Sequence, residues 1–253
     1  MFRLHRWLLG PAQSQDGGIG WGRMLVGTST LLFVVILITG IVLWWPTTIS
    51  TAKKRLRIPL RRGIFRFSFG LHLAGGAYTF ILLLLMALTG LTWSFSWYKN
   101  GLYTLLGVEQ QPKATNTQQP VHRNADRKHS KTKDFDWQNA ANQIKQTCPD
   151  AEQWTLSPYK ANVKYKRWGN VRAIDEYQMD SSGAITHFTP YADSPISRKV
   201  NGWIFSLHTG AFAGHLSRWL WMLTALIGAA LPLTGYYMWW RRISKRKKHH
   251  NDN

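Results

Sequence analysis

The sequence has a single cysteine, few acidic residues and three long segments without any charge. Its 253 residues contain 32 Lys or Arg against 12 Asp or Glu, giving a formal charge of +20. Because Cys148 is the only cysteine, no disulfide can form within the chain, which excludes a small secreted domain held by such bonds. The positive charge would suit a nucleic-acid-binding tail, but 14 Trp and a hydrophobic content of 45% do not.

The uncharged segments indicate a membrane protein. Residues 24–45, 67–97 and 219–240 contain no Lys, Arg, Asp or Glu. Each reaches or exceeds the roughly 20 residues that a helix needs to cross a hydrocarbon core of about 30 Å. A soluble globular enzyme is therefore excluded. The expected fold is an all-α bundle of three transmembrane helices in a lipid bilayer, joined to a small extracytoplasmic α+β domain.

The positions of Lys and Arg predict how the chain crosses the membrane, because short loops rich in these residues stay in the cytoplasm. Both the loop 46–66 and the tail 241–253 are basic, so both are predicted to be cytoplasmic. The segment 98–203 and the N-terminal segment 1–23 are then periplasmic. Orientation and contact with anionic lipid explain the basic runs better than nucleic acid does, and no nucleic-acid partner is expected.

The segment between the second and third spans divides into a linker and a domain. Residues 98–134 form the linker, and its part 110–134 is polar and without apolar periodicity. Residues 135–195 form the α+β domain. Its predicted elements are a helix with apolar residues at Trp137, Ala140, Ala141 and Ile144, ended by Pro149, then strands within 154–157, 162–168, 171–179 and 184–191. The third transmembrane helix, with the LHTG segment before it, is predicted over 203–240.

A repeat relates the first and third spans. Arg23, Thr39-Gly40 and Trp44-Trp45 recur at the same spacing as Arg218, Thr234-Gly235 and Trp239-Trp240. The second span carries a looser copy, Thr89-Gly90. Tryptophan anchors helices at the headgroups, threonine bonds within or between helices, and glycine allows close approach, so the repeat predicts architecture rather than chemistry.

Histidines at membrane depth are the candidate functional residues, because ionisable groups there are costly. His72 is followed by Gly75 and Gly76, which would leave a slot for a flat porphyrin beside an imidazole ligand. His5 and His208 precede corresponding copies of the repeat and could hold one haem between them. The alternative for His72 is a hydrogen bond to a neighbouring helix.

Three further residues are weaker candidates. His215 rivals His208 as a ligand, but the repeat offers it no counterpart in the first copy. Arg23 and Arg218 could pair with haem propionates, although snorkelling to lipid headgroups explains them equally well. The sequence contains no CxxCH motif, so any haem would be held without covalent attachment.

The combined motifs resemble a known family. LHRW at 4–7, WGRMLVG with ITGIVLWWP, GLHLAGG with LLMALTGL, and LHTG with LTGYYMWWRR are similar to the PepSY-associated transmembrane proteins. That family includes iron-regulated membrane proteins and the inner-membrane reductases of ferric siderophores. The resemblance implies four spans, two PepSY domains and two haems, with electrons passing from a cytoplasmic or quinol donor to a periplasmic iron chelate. It assigns His5 and His208 to the outer haem and His72 to the inner haem.

The chain differs from the family pattern at its start. It begins where the family's second span begins, so the first span, the first PepSY domain and the histidine opposite His72 are expected to be absent. The resemblance then implies one haem b, and a second only if a homodimer or an upstream partner polypeptide supplies a ligand. The implied function is a haem-containing inner-membrane reductase component that acts on ferric chelates in iron uptake. The alternatives are a non-catalytic membrane-anchored PepSY interaction module and a truncated remnant of a longer reductase.

Overall fold

The computed structural model describes residues 2–11, 20–61, 63–108, 135–165 and 169–251. Three of its helices are long and apolar enough to cross a membrane: Trp21–Trp44, Ile64–Ser94 and Gly214–Ser244. Within their apolar windows only 11%, 28% and 17% of the residues are buried inside the protein, so most of each span is left for lipid to cover. The predicted fold class, a three-helix membrane bundle with a small α+β domain, is confirmed.

The first compact unit, the membrane unit, comprises residues 1–99, 207–210 and 215–253. The helices before the α+β domain are α1 (Phe2–Trp7), α2 (Trp21–Trp44), α3 (Ile49–Arg55) and α4 (Ile64–Ser94). Helix α4 is α-helical over Ile64–Gly70 and Gly76–Ser94, and the intervening turn Leu71–Gly75 is π-helical. The last helix, α8, runs over Gly214–Asn251 and contains Pro232. A π-helical turn inside an α-helix often marks a functional position, and here it contains His72.

Glycines allow the helices of the membrane unit to approach closely. A Cβ at Gly22 would overlap the carbonyl of Trp7, so α1 can lie against the start of α2 only because residue 22 has no side chain. Helix α1 is followed by Leu8 and Leu9, which both have left-handed φ angles, of 50° and 65°. Farther along, a Cβ at Gly27 would lie 2.8 Å from the Ser94 side chain, which brings α2 against the end of α4.

The second compact unit, the α+β unit, comprises residues 100–206 and 211–214. Helix α5 (Ser96–Leu105) leads into it, and α6 (Trp137–Thr147) precedes a four-stranded sheet. The strands are β1 (Ala151–Ser157), β2 (Lys160–Tyr165), β3 (Asp175–Met179) and β4 (Ile185–Thr189), in the order β1-β2-β3-β4 with every pair antiparallel. Helix α7 (Ile196–Thr209) follows a single 3₁₀ turn at Tyr191–Asp193.

The core of the α+β unit lies between α6 and the sheet. Ala140 and Ile144 form the buried face of α6, and they meet Ala161 and Val163 of β2 and Tyr177 of β3 in one apolar cluster. The carboxylate of Asp136 caps α6 by accepting from the backbone N–H of Asn139 at 2.9 Å. The core forms because apolar residues recur at helical spacing on α6 and alternate with polar residues along the strands.

Several element boundaries differ from the sequence predictions. Strand β2 begins at Lys160 rather than 162, directly after Tyr159, whose left-handed φ of 63° makes the hairpin turn. Strand β3 begins at Asp175 rather than 171, because Asn170 holds the preceding residues in a turn by accepting from the backbone N–H of Arg172 at 2.9 Å.

The largest differences from the sequence predictions are two helices that lie next to the spans. Helix α5 occupies the beginning of the predicted linker 98–134, and residues 109–134 of that linker lie outside the described residues. The LHTG segment does not lead straight into the third span. It ends the separate helix α7, and Gly210, with a φ of 65°, breaks the helix before α8 begins at Gly214.

Candidate functional site

His208 docks on helix α4 through two hydrogen bonds. Its Nδ1 lies 3.0 Å from the carbonyl oxygen of Met86 and 3.1 Å from the hydroxyl of Thr89. Thr89 in turn donates to carbonyls of its own helix, with the Leu85 oxygen at 2.6 Å. A Cβ at Gly90 would lie 3.2 Å from Cε1 of the imidazole, so the ring occupies the space that a side chain would need. A carbonyl, a threonine and a glycine of α4 therefore position His208.

His72 docks on helix α8 in the same way. Its Nδ1 lies 3.1 Å from the carbonyl oxygen of Leu231 and 3.0 Å from the hydroxyl of Thr234. Thr234 donates to carbonyls within α8, and a Cβ at Gly235 would lie 3.3 Å from Cε1 of the ring. The two histidines are thus held by one arrangement, which we call the docking motif: a Thr-Gly pair and the carbonyl three residues before the threonine.

The docking motif determines which ring nitrogen carries the proton. A carbonyl oxygen can only accept, so Nδ1 of His72 and Nδ1 of His208 must each donate. In the neutral imidazole Nε2 is then left with its lone pair. This is how metal-binding histidines are usually held, with the second nitrogen fixed by a carbonyl or carboxylate. In both side chains Nε2 is therefore the nitrogen that could accept a hydrogen bond or bind a metal.

A third copy of the docking motif lies on α2. The hydroxyl of Thr39 bonds the carbonyl oxygens of Val35 and Ile36 at 2.9 and 3.1 Å, as in the two occupied copies. Thr39 is exposed, and no described atom lies within 4 Å of a Cβ built on Gly40. Within the described residues this copy therefore holds no imidazole.

The ring centroids of His5 and His208 lie 6.1 Å apart, and the ring planes are tilted by 46°. Two imidazoles bound through Nε2 to opposite sides of one metal, at the usual nitrogen distances of about 2.0–2.1 Å, have centroids roughly 6.3 Å apart. The observed separation is close to that value. Trp93 packs its edge against His208 at 5.0 Å between centroids, while His5 is exposed.

A cavity of about 540 Å³ lies beside His72, between α2, α4 and α8. This volume is within the range of about 300–1,000 Å³ found for ligand sites. Its wall includes Gly76 near the imidazole, Gly235 from the docking motif and Gly40 from the third copy. Gly75 was also expected to leave open space, and that expectation is wrong: it is buried, and a Cβ there would lie 3.2 Å from Ile227 of α8.

Buried donors of the membrane unit include side-chain nitrogens of Arg23 and Trp44, for which no acceptor is described. Nε of Arg23 is buried near the start of α2, and the indole nitrogen of Trp44, a residue that lines the cavity beside His72, is also buried. A buried donor without an acceptor is costly, so each of these groups is a candidate partner for an acceptor on a bound molecule. The other candidates are placed differently, since Arg218 and His215 are exposed on the first turns of α8.

Thr89, Thr234 and Met86 are the positioning residues that sequence reasoning did not identify. The Thr-Gly pairs were visible as a repeat, but their hydrogen-bonding partners were not, because each histidine docks on a different helix from its own. Within the described residues, no cluster of three or more His, Cys, Asp or Glu side chains could hold a bare metal ion. The candidate site instead consists of one pair of imidazoles, His5 and His208, and of a single imidazole, His72, beside an apolar cavity.

The sequence was compared with models of protein families and with curated proteins. The family model described as the PepSY-associated TM region matches residues 1–242, which is nearly the whole chain. A search of curated proteins found no match.

Proposed function

Since the chain belongs to the PepSY-associated transmembrane family, we propose that it is a haem-binding component of an inner-membrane reductase that passes electrons to ferric chelates in the periplasm. Family membership supports a multi-pass membrane protein, and the proposal adds the cofactor, the substrate class and the orientation. In that orientation the N-terminal segment and the α+β unit are periplasmic, and the C-terminal tail is cytoplasmic. The substrate class rests on the family resemblance alone.

The His5–His208 pair is the observation that carries the proposal. The two imidazoles lie 6.1 Å apart and would hold the haem iron between them, and the docking motif on α4 would leave Nε2 of His208 free to bind it. A non-covalent haem b held there would supply reversible one-electron chemistry, and two imidazoles favour electron transfer over oxygen binding. The chain's residues bind and orient the cofactor, while Arg23 offers a buried donor to a propionate.

His72 is the candidate ligand of a second haem, and it needs a partner. Its docked ring and the glycine-lined cavity provide one ligand and apolar space. A second imidazole would come from a homodimer or a partner polypeptide. Gly40 lies on the cavity wall, so a histidine docked on the third copy of the motif would lie at the cavity that contains His72.

The test is absorbance spectroscopy of the detergent-solubilised full chain, produced with haem available. We expect a Soret band, and split alpha and beta bands after reduction with dithionite. His208→Ala should lose most of this absorbance, whereas His215→Ala should retain it, since His215 is exposed on α8. A colourless wild-type protein, or equal haem content in both variants, would refute the haem proposal.

The second candidate is a non-catalytic membrane module whose α+β unit binds another protein. It is favoured by the satisfied Nδ1 of each docked histidine, because such hydrogen bonds also stabilise helix packing without any cofactor. This candidate predicts that replacing His5, His72 and His208 together by Ala leaves both spectrum and function unchanged. Reduction of a ferric chelate by wild-type protein, lost in the triple variant, would exclude it.

A further inference from the structure

A small cleft lies between the segment after α3 and the first turns of α4. Its volume is about 330 Å³, and four cationic side chains line it: Lys54, Arg55, Arg57 and Arg66. The sequence predicts that this loop is basic, but only the fold brings these four charges around one concavity. Like charges repel, so such a cluster is stabilised when an anion binds between them.

Specific contacts build the cleft. The guanidinium of Arg55 donates to the carbonyl of Trp44 and, at 3.4 Å, to the carbonyl of Trp45, which ties α3 to the end of α2. A Cβ at Gly70 would overlap the ring of Pro59, so the segment before α4 lies directly against that helix. Thr48 begins α3 by accepting from the backbone N–H of Thr51 at 3.2 Å. These contacts fix the backbone segments from which the cationic side chains extend.

No acidic side chain from this part of the sequence balances the charge. Residues 17–108 contain neither Asp nor Glu, so the segments that form the cleft offer no carboxylate to these cations. Arg57 and Arg66 are exposed at its rim. The anion that complements the cleft must therefore come from elsewhere.

The rest of the cleft wall is apolar and faces outward. Pro59, Phe65, Phe69 and Leu73 line it, and Phe69 is 50% exposed. Phe69 and Leu73 lie on the span Ile64–Ser94, so the apolar wall continues into the lipid-facing surface of α4. The guanidinium of Arg241, from α8, lies 4.6 Å from the ring centre of Phe65 and adds a fifth cation beside the cleft. The cleft is therefore lined by both cationic and apolar side chains.

A basic loop needs no ligand to act as an orientation signal, and a diffuse positive field would suffice for that purpose. The convergence of four cations on a cleft with an apolar wall is a more specific arrangement than orientation requires. Basic pockets between membrane helices are known to bind lipid headgroups on this physical basis.

We propose that this cleft binds one anionic glycerophospholipid, with the phosphodiester among Lys54, Arg57 and Arg66 and an acyl chain along Phe69 and Leu73. The apolar lining distinguishes a lipid from a soluble phosphate, since only a lipid can contact the cations and the apolar side chains together. The proposal is independent of haem, because its residues are separate from the histidines and their docking motifs.

The experiment uses the full chain, delipidated in detergent and titrated with phosphatidylglycerol or phosphatidylcholine, with bound lipid counted by native mass spectrometry. Each cation near an anionic headgroup changes affinity by about fivefold, so Arg57→Gln with Arg66→Gln should weaken phosphatidylglycerol binding roughly 25-fold. The matched control, Lys53→Gln with Arg61→Gln, removes two exposed charges from the same loop outside the cleft and should change it little.

Two further arms identify the ligand. Phe69→Ala should weaken phosphatidylglycerol binding without changing any charge, and inorganic phosphate should compete poorly with the lipid. The proposal is overturned if the two double variants lose affinity equally, if phosphatidylcholine binds as tightly as phosphatidylglycerol, or if inorganic phosphate displaces the lipid at similar concentrations. Arg57→Lys with Arg66→Lys, which retains both charges, should bind the lipid nearly as the wild type does and so excludes misfolding as the cause of a loss.

Discussion

In the membrane unit, a threonine and the glycine after it together position a histidine of another helix. The threonine hydroxyl bonds carbonyls of its own helix, which leaves its oxygen to accept from an imidazole, while the glycine makes room for the ring. Two helices, α4 and α8, use this arrangement to hold histidines from elsewhere in the chain. The orientation of a ligand nitrogen therefore depends on a neutral residue that carries no ligand itself.

Thr89→Val tests this dependence, because valine keeps the shape of threonine and replaces the hydroxyl by a methyl group. If the His5–His208 pair holds haem, loss of the 3.1 Å contact with His208 should lower haem affinity by about 10-fold or more and shift the midpoint potential. Haem titration and potentiometry measure the two effects.

The control for this substitution is Thr92→Val. Thr92 is also buried in α4, but its hydroxyl bonds the carbonyl of Thr89 at 2.7 Å rather than an imidazole. It should leave both haem affinity and midpoint potential near the wild-type values. Equal effects of the two substitutions would show that threonine matters for the helix and not for the histidine.

At the scale of elements, an ion-pair network joins helix α7 to the sheet. Glu176 of β3 pairs with Arg198 of α7 and, at 2.8 Å, with Lys160 of β2. Burial disfavours the charged carboxylate, but the two cations outweigh it, so the pKa of Glu176 lies below its ordinary value. The carboxylate therefore stabilises the packing of α7 on the sheet when it is ionised.

The sign of the pH dependence follows from the lowered pKa. The stabilisation is complete above the pKa of the unfolded chain, about 4.3, and is lost as the pH falls through the lower folded value. Glu176→Gln should therefore destabilise the docking of α7 by about 1 kcal/mol at neutral pH and by much less once the pH falls below the pKa of Glu176 in the folded protein. Hydrogen exchange of the α7 amides in the full chain measures this difference.

A second ion pair of the same sheet provides the control. Glu152 of β1 pairs with Lys164 of β2 at 3.0 Å, and it has no part in the Glu176 network. Glu152→Gln should leave the α7 amides as protected as in the wild type at every pH. A loss of protection at α7 in this variant would mean that the sheet as a whole had weakened.

For the whole molecule, the order of spans and domains constrains the topology. If each of the three apolar helices crosses the membrane once, the loop 46–66 and the tail lie on one side and residues 98–203 on the other, and the basic charge predicts that the first side is cytoplasmic. Cysteine labelling tests this arrangement cleanly, because the single native cysteine, Cys148, is buried.

A membrane-impermeant maleimide applied to intact spheroplasts should label Ser181→Cys and leave Ser50→Cys and Ser244→Cys unlabelled until the membrane is permeabilised. All three positions are exposed on the protein surface, so access depends on the membrane alone. Labelling of Ser50→Cys and Ser244→Cys but not of Ser181→Cys would reverse the orientation. Different labelling of Ser50→Cys and Ser244→Cys would contradict the three-span topology.

Much of the fold was predictable because its determinants are local in sequence. Uncharged segments long enough to span a bilayer predict the helices, and the spacing of Ala140 and Ile144 predicts α6 without knowledge of its neighbours. The π-helical turn at His72, the helix α7 and the break at Gly210 were not predicted. These features depend on packing against distant residues, which hydropathy does not report.

The amino-acid sequence alone determined that this chain is a basic three-span membrane protein with histidines at the ends of its spans, because length, charge and hydropathy are properties of contiguous residues. Only the tertiary structure decided where those histidines go. His208 docks on a carbonyl 122 residues away and His72 on one 159 residues away, and four loop cations converge on one cleft. Such contacts arise from the close approach of helices, which glycines permit and which no local pattern specifies.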